Sequence, residues 1–169
     1  MRSILLFVHD IYEDLELWYP KLRLEEAGFK TTVAGPEAGV TYSGKHGYPC
    51  KAEAAFDSID AHRFAGLVIP GGFAPDKLRR IPKVLDVVRE MHEAKKLIAF
   101  ICHAGWVPIS AKILKGRHVT GFSAIKDDLE NAGAIFTDKS VVVDGHLITS
   151  RTPADLPFFC KEMLAFLGD

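Results

Sequence analysis

Three short, continuous apolar runs separated by helical patterns constrain the fold of this chain more than any other feature of its sequence. The runs cover residues 3–8, 66–69 and 97–101. Strands that are apolar throughout are typical of parallel sheets covered by helices on both faces, whereas a strand with one solvated face alternates. A fourth strand is predicted over residues 30–35, after a helical pattern that stops at Gly28. The alternation predicts one α/β domain over residues 1–169, a three-layer sandwich with a mainly parallel sheet between helices.

Glycine-containing turns predict two further β segments. Gly44 and Gly47 lie between β-favouring residues, so residues 40–51 are expected to form a hairpin or an irregular β excursion. The Asp144–Gly145 pair predicts a tight turn between two short strands.

Prolines mark the ends and the irregularities of the helices. Pro20 lies inside the first helical pattern, where a proline costs about 3 kcal/mol, so a kink after a short first turn is expected. Thr152 is expected to cap the last helix, because Pro153 then occupies its first position and Asp155 its third.

Charge and cysteine usage exclude several functional classes. The formal net charge is −1 and no basic stripe is present, so neither nucleic acid nor a membrane is an expected partner. The apolar opening is too short for a signal peptide, and no run approaches the roughly 18 residues of a membrane span. Cys50, Cys102 and Cys160 are odd in number and widely spaced, which argues against a disulfide framework and favours the cytoplasm.

No cofactor motif is found in the sequence. It contains neither Gly-x-Gly-x-x-Gly nor the P-loop pattern Gly-x-x-x-x-Gly-Lys-Ser/Thr. The histidines show no spacing that suggests a metal site. The expectation is therefore a protein that needs neither a metal nor a nucleotide cofactor.

Cys102 is the first candidate for chemistry because it directly follows the apolar run 97–101. A strand that turns abruptly into a helix exposes the side chain of the turn residue above the sheet, and helix amides favour a thiolate there. Ala104 and Gly105 are small enough for such a turn. The alternative, a buried structural cysteine, stays open on position alone.

Several motifs besides the Cys102 segment are distributed along the whole chain. "YEDLEL", "PGGFAPD", "ICHAGW", "GRHVTGFSAIKDDLENAGA" and "VVVDGHLITSRTPADL" occur in this order. The chain thereby resembles the PfpI family of intracellular peptidases and glyoxalase- or deglycase-like proteins, within the DJ/PfpI superfamily. The resemblance covers about residues 3–167 and implies a flavodoxin-like fold of the class I glutamine amidotransferase type.

The resemblance also implies roles for four residues. Cys102 matches the family nucleophile, and His103 matches the adjacent histidine that moves protons. Glu16 matches a glutamate that approaches the sulfur, where a carboxylic acid would lower the pKa of the thiol. Asp76 matches a carboxylate that reaches the histidine from a neighbouring subunit, although the archaeal peptidase pattern has glutamate there. As alternatives, His103, Glu16 and Asp76 could be surface groups, and Asp76 a helix cap.

Four further positions match the walls of the family site. The amides of Gly72 and His103 match an oxyanion hole, which glycine at 71 and 72 leaves unobstructed. Glu13 matches a second acidic, site-lining position. Phe122 stands where the archaeal peptidase pattern has tyrosine, so it can wall a pocket but cannot donate a hydrogen bond.

These matches imply a cofactor-independent cysteine hydrolase with Cys102, His103, Asp76 and Glu16 in its site. Its substrates would be peptides, or α-oxoaldehydes such as methylglyoxal and their protein adducts, and Phe122 favours the second group. A homodimer or hexamer is implied because one site residue would come from another chain. The alternative is a non-enzymatic redox sensor or chaperone in which Cys102 is oxidised.

Overall fold

A seven-stranded sheet forms the centre of the computed structural model, which describes residues 2–168. All neighbouring strands run parallel except the hairpin at one edge. The predicted α/β class with a mainly parallel sheet is thus confirmed. In order across the sheet the strands are β10 (Val141–Asp144), β11 (Leu147–Ser150), β7 (Leu97–Ile101), β6 (Gly66–Ile69), β1 (Ser3–Phe7), β2 (Lys30–Gly35) and β5 (Ala54–Ala55).

The helices cover the sheet in two groups. The first and last helices pack against each other, whereas the third packs against the fourth. β1 is covered on both sides, since consecutive residues Ile4 to Phe7 are all fully buried. The helices are α1 (Asp14–Glu26), α2 (Ala74–Leu78), α3 (Pro82–Glu93), α4 (Trp106–Ala111), α5 (Lys126–Asn131) and α6 (Leu156–Leu167).

Two small two-stranded sheets complete the fold. β3 (Thr41–Ser43) and β4 (Pro49–Lys51) form the predicted hairpin, and β8 (His118–Val119) pairs with β9 (Ile135–Phe136). The loop between β3 and β4 is tied to the start of α1, because the Asp14 carboxylate accepts hydrogen bonds from the amides of His46 and Tyr48 at 2.8 and 2.9 Å.

The carboxyl ends of β1, β6 and β7 meet at one edge of the sheet, because these strands are parallel neighbours. The loop before α1, the Pro70-Gly71-Gly72 turn and Cys102 follow these three ends. Ligands of open α/β sheets bind at such an edge.

Two predictions at the helices were wrong. α1 runs without interruption through Pro20, so no separate short turn precedes the proline. Proline at this position removes one helical hydrogen bond and crowds the carbonyl of Glu16, and the burial of Pro20 against the core offsets this cost. Thr152 makes no side-chain cap, and residues Pro153–Asp155 form a 3₁₀ turn before α6. The Asp155 carboxylate instead accepts hydrogen bonds from the backbone and guanidinium of Arg151.

No helix among residues 2–168 combines the length and the apolar character needed to cross a bilayer.

A pair of histidines links α3 to the turn between β10 and β11. Nε2 of His146 lies 3.0 Å from Nδ1 of His92, and His146 is 8% exposed. Burial, followed by the charges of His92 and Arg117, lowers the pKa of His146 to about 4. The folded chain therefore holds His146 neutral in the range where the unfolded chain protonates it.

We expect this pair to make stability depend on pH. Between about pH 6.5 and 4 the unfolded chain binds more protons at His146, so stability should fall as the pH drops through this window, by about 3 kcal/mol. Urea unfolding at several pH values should show a shallower decline for His146→Gln than for the wild type. Equal slopes would contradict the assignment.

Candidate active site

Cys102 lies on a sharp turn between strand and helix. β7 ends at Ile101, and Cys102 follows with φ of +62°, a left-handed conformation that is uncommon for a residue with a side chain. A 3₁₀ turn, Cys102–Gly105, then leads into α4. The Cys102 carbonyl accepts a hydrogen bond from the Phe122 amide at 3.1 Å. A backbone conformation of this kind costs about 1–3 kcal/mol and is typical of functional sites.

The imidazole of His103 lies against the cysteine sulfur and between two aromatic rings. Its Nδ1 is 3.2 Å from Sγ of Cys102. The Phe122 ring stacks on it with centroids 4.9 Å apart, and the Trp106 ring meets it edge-on at 5.3 Å. Burial, with the positive charge of Lys45, lowers the pKa of His103, so the ring is neutral at pH 7. A neutral imidazole is able to accept a proton.

Glu16 is fully buried next to the cysteine. Its Oε2 accepts a hydrogen bond from the Gly71 amide at 2.7 Å, whereas its Oε1 has no hydrogen-bond partner among residues 2–168. Burial raises the pKa of the Glu16 carboxyl to about 8, and the charge of Glu13 acts in the same direction. Glu16 is therefore mostly a neutral acid at pH 7, with a proton available for donation.

The pKa of Cys102 is shifted upward, whereas the sequence predicted a downward shift. Burial, followed by the negative charge of ionised Glu16, raises the pKa of Cys102 to about 12, although the amides of His103 and Gly72 oppose this. The short helix after the turn thus does not outweigh burial. Formation of the thiolate requires that Glu16 be protonated or that the thiol proton move to a neighbouring base.

The Pro-Gly-Gly turn allows the segments around Cys102 to approach. A Cβ at Gly71 would lie 2.5 Å from Oε2 of Glu16 and 2.8 Å from Cβ of Cys102. Gly72 has φ of +77°, and its Cβ would lie 2.5 Å from the Glu13 amide nitrogen and the Ile11 carbonyl oxygen. Only glycine fits at either position, so the backbone itself faces the sulfur.

Glu13 caps α1 while its side chain also lines the site. Its Oε2 accepts hydrogen bonds from the amides of Leu15 and Glu16 at 2.9 and 3.1 Å. Its Oε1 lies 3.5 Å from Nε2 of His46. Glu13, His46 and Asp14 come close enough to hold a cation, but both carboxylates are already used by backbone amides of their own loops.

Asp76 does not reach His103 within the same chain. It lies exposed on α2, where its Oδ2 pairs with the guanidinium of Arg80 at 3.1 Å. Among residues 2–168, no carboxylate forms a hydrogen bond or ion pair with His103. The imidazole therefore has no acidic orienting partner among the described residues of its own chain.

A cavity of about 310 Å³ opens above these groups. The sequence interpretation missed several residues that line it, Lys45 and Trp106 above all. Helical spacing could have indicated Trp106, which follows His103 by three positions. Its Nε1 donates to Oδ2 of Asp128 at 2.9 Å, and the Arg79 guanidinium lies over its ring. The other missed lining residues are His46, Phe73, Thr152 and Pro153.

Similarity to known proteins shows the family of this chain. Residues 2–166 match the model of the DJ-1/PfpI family. The chain belongs to the DJ-1/PfpI family. The Pyrococcus furiosus protein named Deglycase PfpI is 42% identical to it over 165 residues, 98% of this chain and 99% of that protein. A Bacillus subtilis relative named as a proposed cysteine protease, YraA, is 41% identical over 166 residues, 98% of each chain.

A solved structure of the DJ-1/PfpI family has the same fold. The crystal structure of an Anabaena variabilis protein with DJ-1/ThiJ/PfpI-like and ferritin-like domains superposes with a TM-score of 0.98 at 40% identity. The match covers 99% of this chain and 48% of that one, so this chain spans about half of the two-domain protein. The resemblance and fold class predicted from sequence are confirmed.

The coupling between Glu16 and Cys102 predicts a pH-dependent effect of Glu16→Gln. At pH 9 the carboxylate is ionised and opposes the thiolate, so the variant should be alkylated by iodoacetamide several-fold faster than the wild type. At pH 6 Glu16 is already neutral, and the rates should lie closer together. Peptide mass spectrometry assigns alkylation to Cys102 rather than to Cys50 or Cys160, and a slower variant at pH 9 would contradict this coupling.

Proposed function

We propose that this protein is a cofactor-independent cysteine hydrolase of small electrophilic carbonyls. It converts α-oxoaldehydes such as methylglyoxal to 2-hydroxycarboxylates and removes their early adducts from proteins. The observation that carries the proposal is the position of the Cys102 sulfur, 3.2 Å from the His103 imidazole at a cavity of about 310 Å³. A cavity of this volume suits a small substrate.

The reaction begins with addition of the Cys102 sulfur to the aldehyde carbon. The thiol proton passes to the aldehyde oxygen by way of His103 or Glu16, and the product is a hemithioacetal. The amides of Gly72 and His103 stabilise the negative charge that develops on that oxygen, since both face the sulfur.

The second stage is an internal redox step that needs no external electron acceptor. A base, His103, removes the proton from the former aldehyde carbon, and a proton is returned to the neighbouring carbonyl carbon, while the hydroxyl proton of the hemithioacetal passes to the oxygen of that carbonyl. The first carbon is thereby oxidised to a thioester, and the second is reduced to a secondary alcohol. Water then cleaves the thioester and restores the thiol, so that RCOCHO and H₂O give RCHOHCOO⁻ and H⁺.

Carbonyl chemistry is favoured over vigorous proteolysis by two features of the site. Phe122 has no hydroxyl to donate to a tetrahedral intermediate, and an aldehyde is far more electrophilic than an amide. A raised pKa of Cys102 also suits an aldehyde, which demands less of the nucleophile. The name Deglycase PfpI of the Pyrococcus furiosus relative agrees with this choice.

The orienting carboxylate for His103 is proposed to come from a second copy of the chain. Asp76 is exposed on α2, and no carboxylate of the same chain within residues 2–168 reaches the imidazole. A homodimer or hexamer that brings Asp76 to the neighbour's His103 would complete the site. Asp76 would then exchange its exposed pairing with Arg80 for an interface contact, at small cost.

Cys102→Ser should abolish turnover of methylglyoxal, with at least a thousandfold loss expected because the nucleophile is removed. Lactate formation with purified protein is the measurement, and a glycated model peptide and a fluorogenic peptide are assayed in parallel. Unchanged turnover in the variant would contradict the proposal. Turnover of none of the three, together with peroxide oxidation of Cys102 that survives in His103→Ala, would support the redox-sensor alternative.

The shared site is tested by mixing inactive variants. Asp76→Asn and Cys102→Ser oligomers are each expected to be inactive or severely impaired, but subunit exchange between them should restore activity, because one mixed site holds both native residues. A mixture of His103→Ala with Cys102→Ser is the matched control and should recover nothing, since these neighbours lie in the same chain. A fully active monomer by light scattering would refute the shared site.

A further inference from the structure

Lys45 is a cation built into the edge of the cavity by its own backbone. It lies in the loop between β3 and β4, and its amide donates to the Tyr12 carbonyl at 2.7 Å. The residue before it, Gly44, fits so closely against Asp14 that an added Cβ would lie 2.3 Å from Oδ1 of that carboxylate. The loop position is therefore tightly defined, and Lys45 lines the same cavity as Cys102 and His103.

The ammonium group of Lys45 has no acidic partner in the part of the chain that the structure describes. Within residues 2–168, no carboxylate comes close enough to form an ion pair with it. Glu13 also lines the cavity, but its carboxylate accepts hydrogen bonds from two backbone amides and lies beside His46. The charge of Lys45 acts inside the site, because it lowers the pKa of both His103 and Glu16.

Apolar groups line part of the cavity that Lys45 and Cys102 share. Phe122 and Trp106 hold the His103 ring from two sides, and Pro153 closes another part of the cavity. A substrate therefore meets a reactive thiol at Cys102, aromatic walls beside it and an unpaired cation at the edge. These are the features that select a ligand with an apolar middle and an anionic end.

We propose that Lys45 selects carbonyl substrates that carry a carboxylate at the end remote from the reacting aldehyde, with an apolar or aromatic segment between. This inference rests on the proposed function and specifies its substrate class. Lys45 is a specificity-determining residue that binds the substrate carboxylate and takes no part in the bond-making steps.

The test compares two substrates that differ only in this carboxylate, phenylglyoxal and 4-carboxyphenylglyoxal. The wild type should have a kcat/KM about fivefold higher for the carboxylated compound, the fold-change expected for one solvent-accessible ion pair. Lys45→Met should reduce this ratio to about one, mainly through KM, and Lys45→Arg should keep most of it. Lys51→Met removes an exposed lysine of β4 outside the cavity and should leave the ratio unchanged.

Two outcomes would overturn the inference. A wild-type ratio near one would show that the carboxylate is not recognised. An unchanged ratio in Lys45→Met, even with a lower rate for both compounds, would mean that Lys45 acts on the chemistry through its charge.

Failure of the proposed function is detected separately with unreactive ligands. Binding of 4-acetylbenzoate and acetophenone to the Cys102→Ser protein is followed by tryptophan fluorescence, which needs no turnover. Tighter binding of the carboxylate, lost in Cys102→Ser/Lys45→Met, would support recognition by Lys45 even if no glyoxal were consumed. Equal binding of both ligands would refute it.

Discussion

Direct backbone contact between the loop before α1 and the Pro-Gly-Gly turn after β6 is the constraint on which the site depends. The Glu13 amide donates to the Gly71 carbonyl at 3.1 Å, and the Phe73 amide donates to the Ile11 carbonyl at 2.8 Å. No side chain fits between these segments at Gly71 or Gly72. This contact brings the start of α1 beneath the end of β7, so that Glu16 is buried against Cys102 and the Gly71 amide.

Burial of that carboxyl determines the acid–base character of the site. The two groups share a small volume: ionised Glu16 raises the pKa of Cys102, whereas the Cys102 thiol favours the ionised form of Glu16, so the proton of the pair is not held by either residue alone. The neutral imidazole of His103, beside the sulfur, is a third group that can accept this proton. In the proposed reaction, one proton would move among these three groups, as an enolisation and an acyl transfer both require. A thiolate that is permanently ionised is not needed for this chemistry.

Local sequence signals were sufficient for most elements but not for the site's energetics. The apolar run Leu97–Ile101 predicted a buried strand, and a strand that ends at Cys102 placed that residue at the ligand-binding edge of the sheet. Pro20 misled the helix prediction because its burial in α1 is a tertiary property. The helix amides likewise suggested a lowered pKa of Cys102, but the desolvation that raises it depends on neighbours distant in sequence.

By itself, the sequence determined the α/β class, the turn at Cys102 and, by resemblance, the family, because these follow from short-range patterns and from motifs in a particular order. Only the tertiary structure decided that Trp106 walls the cavity, that Asp76 stands away from its own His103 and that Lys45 lines the same cavity as Cys102. Those features depend on which loops meet at one edge of the sheet, and a distance across that edge is not encoded in any local run of residues.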